Sequence, residues 1–140
     1  MYKWLSLVLA FLIGCGVYSF WILLQHVGPP KSLDQYCQLS TKICVQHQVA
    51  MRLNHDVVTP LQQSYIQVNW PQAASETLRL SLRGVEQDLG VVEVTLINKG
   101  ELGYVGSFML PVCTGEGITW KGILTDGSRQ IYPAIRMENE

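Results

Sequence analysis

Residues 4–24 form an uncharged, apolar run that constrains the fold more than any other part of the chain. The most polar side chains within it are Ser6 and Ser19. As an α-helix the run would be roughly 30 Å long, which matches the hydrocarbon core of a bilayer. A buried helix of that length would need a much larger protein around it than 140 residues provide. The run therefore predicts one transmembrane helix, within an anchor of residues 1–25.

Two other interpretations of the N-terminus stay open. A cleaved signal peptide usually has a shorter apolar core, and no A-x-A-like cleavage site follows this one. A lipoprotein signal fits Leu12-Ile13-Gly14-Cys15, where Cys15 would carry the lipid, but the chain stays apolar up to Leu24 instead of turning polar. These departures favour an anchor that is not cleaved.

Charges at the two ends of the run indicate its orientation. The α-amino group and Lys3 flank one end, whereas His26 and the more distant Lys31 and Asp34 flank the other. The positive-inside rule then places the N-terminus in the cytoplasm. Cysteines in a small domain suit an oxidising compartment. We therefore expect a single-pass protein of the bacterial inner membrane, with its C-terminal domain in the periplasm and the lipid bilayer as its first partner.

After a linker of residues 26–36, the domain of residues 37–140 shows a hydrophobic period of two, as β-strands do. The predicted strands cover residues 45–53, 66–70, 78–82, 92–96, 104–110, 118–124 and 131–135. His47 lies on the apolar face of the first, Asp126-Gly127 is the turn after the sixth, and Pro133 makes the last an edge strand. Such a series of short strands predicts an all-β fold, an immunoglobulin-like β-sandwich of about seven strands.

The cysteines of the domain allow two pairings. Cys44–Cys113 would close the longer loop and stabilise by about 4 kcal/mol, against about 2.5 kcal/mol for Cys37–Cys44. However, the first and fifth predicted strands run in the same direction, so Cys44 and Cys113 would lie at opposite ends of the sandwich. Because a disulfide tolerates only a short Cα–Cα distance, we expect Cys37–Cys44 and an unpaired Cys113.

The same strand directions place His55 and Met109 at the end that holds Cys113. The turn between the third and fourth strands adds Glu86, Gln87 and Asp88 to this end. A thiolate, an imidazole and a thioether are suitable ligands for copper(I). Cys113, His55 and Met109 are therefore the candidate metal ligands, with copper as the candidate cofactor. In the competing interpretation Met109 is a packing residue and His55 is solvated in a turn.

Two stretches carry a resemblance to a known family. They are Val85-Glu86-Gln87-Asp88-Leu89-Gly90 and the sequence GYVGSFMLPVC that ends at Cys113, followed by Ile118-Thr119-Trp120. Together they resemble the FixH/YtkA-like group over residues 85–124. Those proteins are small, membrane-anchored bacterial β-sandwiches linked to copper handling or cytochrome oxidase assembly. In that group the turn tends to carry methionines before a Met-Gly pair. The matching positions in this chain, residues 87–90, are Gln, Asp, Leu and Gly, and none of them is a soft metal ligand.

Several classes of function lack a sequence signal. Neither a nucleophile elbow nor a glycine-rich phosphate loop occurs, so we expect no enzyme. A net charge of −1 without a basic patch argues against nucleic-acid binding.

The function that the sequence favours is that of a binding or assembly module. Such a module would be an accessory factor for a membrane complex, such as a respiratory oxidase, or for copper handling. The alternative is a ligand-free structural or protein-interaction domain, and a thiol oxidoreductase at Cys113 ranks third.

Overall fold

The computed structural model describes residues 32–139, which form strands and two single-turn 3-10 helices. The strands are β1 (Cys37–Gln38), β2 (Cys44–Gln46), β3 (Val49–Leu53), β4 (Ser64–Asn69), β5 (Thr77–Gly84), β6 (Val91–Asn98), β7 (Tyr104–Phe108), β8 (Gly117–Thr125), β9 (Gln130–Ile131) and β10 (Pro133–Glu138). The 3-10 helices are Leu33–Gln35 and Gly100–Leu102. This part of the chain contains no helix long and apolar enough to cross a membrane. The predicted anchor lies outside the described residues.

The strands pair in the order β1-β10-β8-β5-β6-β7-β4-β3-β2, and β9 pairs with β8. Neighbours are antiparallel except β1, which runs parallel to β10. β6 and β7 pair only at two positions, Ile97 with Val105 and Asn98 with Tyr104. Buried side chains from both halves of the strand path contribute to one hydrophobic core. The described residues thus confirm the all-β prediction as a sandwich-like or barrel-like fold.

Buried and exposed side chains alternate along the strands that form the core. Alternate residues of β4, β5 and β8 are buried, as the period of two predicts. Trp120 is fully buried among them, and Gly106 of β7 packs directly on β6. A Cβ at Gly106 would lie 2.8 Å from Leu96 Cγ, so only glycine permits this approach. The hydrophobic pattern therefore defines both the strands and the core that they share.

The first predicted strand is wrong in one respect. Instead of one strand there is a hairpin, in which β2 and β3 pair antiparallel, with Val45 opposite Ala50. His47 and Gln48 form its two-residue turn, with φ of 48° and 67°. Such a turn requires positive φ at both central residues and usually contains Asn or Gly. Because neither occurs here, the alternation through His47 conceals the turn, and His47 is exposed rather than on the apolar face.

The prediction of an edge strand at Pro133 is also wrong. β10 lies between β1 and β8, and Pro133 is its first residue, a position where a strand tolerates proline. The covering strand β1 has only two residues, too few to produce a periodic signal in the sequence. Farther along β10, Val58 N donates to Arg136 O at 2.9 Å and Glu138 N donates to Val58 O at 3.1 Å. The outer edge of β10 is thus partnered at both ends.

A disulfide joins the two ends of the strand path. The bond links Cys37 of β1 to Cys44 of β2, which confirms the predicted pairing, and Cys113 is free. The strand-direction reasoning behind the prediction does not hold, because Cys44 lies on β2, which the hairpin turns antiparallel to β3 and therefore to β7. Beside the disulfide, Tyr132 N donates to Gln46 Oε1 at 2.7 Å, and Gln46 Nε2 donates to Gln35 O at 3.0 Å. We call this junction of β1, β2, Gln46 and Tyr132 the seam.

Replacing both Cys37 and Cys44 with Ser should lower the free energy of unfolding by about 2.5 kcal/mol, the chain entropy that this short loop removes from the unfolded state. Urea denaturation of the oxidised wild type and of the double variant measures the difference. Cys113→Ser in the oxidised protein is the control, since it removes a thiol without opening the disulfide. A difference near zero, or peptide mapping that links Cys113 to either partner, would contradict the assignment.

Asp126 fixes the predicted turn between β8 and β9 from within the protein. Its side chain is buried, and its Oδ1 accepts hydrogen bonds from Ser128 N at 2.9 Å and Arg129 N at 2.8 Å. Its Oδ2 accepts one from Ala74 N at 3.0 Å, which ties the turn to the loop before β5. Burial by itself raises the pKa of Asp126, but the backbone N–H groups of Arg129, Ala74 and Ser128 outweigh it and hold the pKa well below its usual range.

Because the pKa of Asp126 is lower in the folded state, its carboxylate stabilises the protein above the unfolded pKa of about 4 and less as the pH falls below it. Asp126→Asn should therefore cost roughly 1.5–3 kcal/mol at neutral pH, where an amide cannot replace the charge-assisted bonds. Urea denaturation of both proteins at several pH values measures this cost. The gap between them should narrow as the pH drops, and a gap independent of pH would refute the role assigned to the charge.

Candidate functional site

Cys113 is buried at one end of the domain. Its Sγ lies 3.8 Å from Asn139 Oδ1, and Asn139 Nδ2 donates to Cys113 O at 3.2 Å. Gln87 reaches the same place, since its side chain makes hydrogen bonds with the neighbouring Thr114. The loop before β6 was predicted to lie near Cys113, and the contacts of Gln87 confirm this.

The other two candidate ligands lie at the surface. The Met109 side chain is 51% exposed, and His55 is exposed in the loop after β3. Next to His55, Asp56 Oδ1 accepts hydrogen bonds from Thr41 N at 2.9 Å and Thr41 Oγ1 at 2.6 Å, which lower the pKa of Asp56. Across residues 32–139, no group of three or more His, Cys, Asp and Glu is arranged to hold a metal ion. Copper binding at Cys113 thus stays a prediction.

The copper hypothesis predicts that Cys113→Ser and His55→Ala each weaken copper(I) binding by about ten-fold or more, because each removes a ligand. Copper(I) titration of the full chain in ascorbate, which leaves the disulfide intact, measures the affinity. Met109→Leu keeps the shape of the third candidate and removes its sulfur. Equal affinity in all variants would end the hypothesis at this end of the domain.

A second candidate site is a groove of about 460 Å³ on the outer face of β3, β4 and β7. Its centre is a row of facing residues, in which Arg52 pairs with Gln67 and Gln67 with Val105. Tyr65 and Leu102 flank the row, with 45% and 60% of their surfaces exposed. We call this site the Arg52 groove.

Hydrogen bonds fix the polar centre of the Arg52 groove. Arg52 Nε and Nη2 both donate to Gln67 Oε1, at 3.0 and 2.7 Å. Gln67 Nε2 donates in turn to the backbone oxygen of Leu102 at 2.7 Å. Since both ends of the Gln67 amide are occupied, its orientation is set, and with it the plane of the Arg52 guanidinium.

Backbone geometry places the rim of the groove. Tyr65 N donates to Asn54 Oδ1 at 2.8 Å and Asn54 N donates to Tyr65 O at 3.2 Å, which closes the loop between β3 and β4. Thr41, which bonds Asp56, forms another part of the wall. Sequence reasoning missed this site because Arg52 and Gln67 look like ordinary outward-facing strand residues. Only the register of β3 against β4 shows that they face each other.

Comparison with known proteins adds no relative. No protein-family model matches the chain, and no curated protein or solved structure is significantly similar to it. Evidence for the function therefore comes from the residues of the chain itself.

Proposed function

We propose that this chain is a membrane-tethered binding module on the periplasmic side of the bacterial inner membrane, where it serves as an accessory or assembly factor for a membrane complex. The apolar run of residues 4–24 supports the tether. The observation that carries the binding role is the Arg52 groove, with exposed apolar side chains around a fixed polar centre.

The composition of the groove favours a protein client. Tyrosine and arginine are enriched among the residues that dominate binding energy at protein interfaces. Arg52 and Gln67 are already held in position, so a client would lose less side-chain entropy on binding than it would with mobile partners. A tether near the client would also raise its effective concentration. These features support client binding better than catalysis.

The resemblance of residues 85–124 to the FixH/YtkA-like group suggests the kind of complex. It favours a respiratory oxidase as the client assembly, with copper handling as a related role at Cys113. We also assign the all-β fold to the immunoglobulin-like sandwiches, since short antiparallel strands in two facing layers are typical of them. In the rival hypothesis the domain is structural and has no client in the groove.

A photo-crosslinking residue at Leu102 should join the full chain to a subunit of a membrane complex in intact cells, because this position lines the groove. Ile123 is the matched control: it is 42% exposed and apolar like Leu102, but it lies on β8. Mass spectrometry of the products identifies the partner. Protease added to spheroplasts should cut the domain, while intact cells protect it.

Identical products from the two positions would show that the groove has no special role. Absence of any product at Leu102 would favour the ligand-free structural domain. Protection of the domain in spheroplasts would place it in the cytoplasm and overturn the proposed location.

A further inference from the structure

The Arg52 groove holds a cation that no carboxylate neutralises. Among residues 32–139, the arginines with an ion pair are Arg129 and Arg136, and Arg52 has none. None of the residues lining the groove is Asp or Glu. Asp56, which is hydrogen-bonded to Thr41 in the wall, forms no ion pair with Arg52. Arg52 is therefore a cation of the groove without an ion-pair partner.

The guanidinium is also held ready for a ligand. Its Nε and Nη2 both donate to Gln67 Oε1. The third nitrogen, Nη1, has no partner among the described side chains. An arginine whose plane is fixed can present parallel N–H groups to a carboxylate, the geometry that makes such pairs strong. Gln67 is thus a positioning residue, itself held by the Leu102 backbone.

Apolar surface adjoins this charge on both sides. Tyr65, Leu102 and Val105 line the groove next to Arg52 and Gln67. A purely ionic ligand would leave these side chains in water, whereas an apolar group beside the anion would cover them. The complementary ligand therefore combines a carboxylate with an apolar side chain at short distance.

From this complementarity we infer that the Arg52 groove recognises a carboxylate next to an apolar residue in the client, with Arg52 binding the carboxylate and Tyr65 and Leu102 covering the apolar side chain. This inference rests on the proposed function and names the chemistry of its client. The carboxylate is that of an apolar C-terminal residue, which carries both groups on one Cα, whereas neighbouring side chains of an extended peptide point to opposite faces.

The test uses N-acetyl-leucine and its neutral amide as probes of the full chain in lipid nanodiscs. Titration followed by NMR should shift the Arg52 Nε–H and Gln67 Nε2–H signals saturably with the acid, and the amide should bind about ten-fold more weakly or worse. High salt should weaken the binding of the acid but not that of the amide, because salt screens an exposed ion pair. N-acetyl-aspartyl-leucine amide, whose only carboxylate is on a side chain, should bind more weakly than N-acetyl-leucine, and tighter binding of this probe would overturn the assignment to a C-terminus.

Two variants separate charge from shape. Gln67→Glu is nearly isosteric and gives Arg52 an internal carboxylate, so it should abolish the preference for the acid. Arg52→Gln should do the same by removing the cation. Arg79→Gln, an exposed arginine on β5, is the control that should leave binding unchanged. Each variant is checked by its backbone amide spectrum, so that an unfolded protein is not counted.

Equal affinity for the acid and the amide, an unchanged preference in Gln67→Glu and Arg52→Gln, or no saturable shift with any probe would each overturn the inference. These failures are distinguishable from failure of the proposed function. If Leu102 still crosslinks to a membrane complex, the module stands and only its ligand chemistry is wrong. If the probes bind but no client crosslinks, the ligand chemistry stands and the assembly role is wrong.

Discussion

The disulfide between Cys37 and Cys44 closes the strand path of the domain and holds the wall of the Arg52 groove. It joins β1 and β2, which stand at opposite ends of the strand order. Without a bond there, both ends of the path would be short strands of two and three residues, each too short to hold its place alone. The side chain of Gln46 reinforces the seam by bonding across it to Tyr132 and Gln35.

Closure of the seam also shapes the Arg52 groove. Thr41 lies within the loop that the disulfide closes, and it forms part of the groove wall. Leu53, at the end of β3, donates its amide to Ser40 of the same loop at 2.7 Å. The disulfide therefore holds the wall of the groove against the strand that carries Arg52, and an oxidising compartment suits such an arrangement.

Sequence reasoning worked where one physical rule dominates. Alternation identified β4, β5 and β8, because one face of each strand is buried and the other is not. The disulfide was predicted correctly, although the strand-direction argument for it assumed one strand where β2 and β3 form a hairpin. It failed where the determining contact is distant in sequence: the His47-Gln48 turn has no Asn or Gly, and β1 is visible only through its pairing with β10. The Arg52 groove was missed for the same reason, because it depends on strand register.

Amide hydrogen exchange in the oxidised protein, and in the variant with both Cys37 and Cys44 replaced by Ser, measures whether the seam holds the two ends of the strand path together. The amides of Leu39, Leu53 and Tyr132 should lose more protection in the variant than those of Leu80 and Trp120 in the paired centre, which lose only what the drop in global stability of about 2.5 kcal/mol removes. A loss at the seam amides no greater than at the central ones would show that the disulfide does not hold the seam.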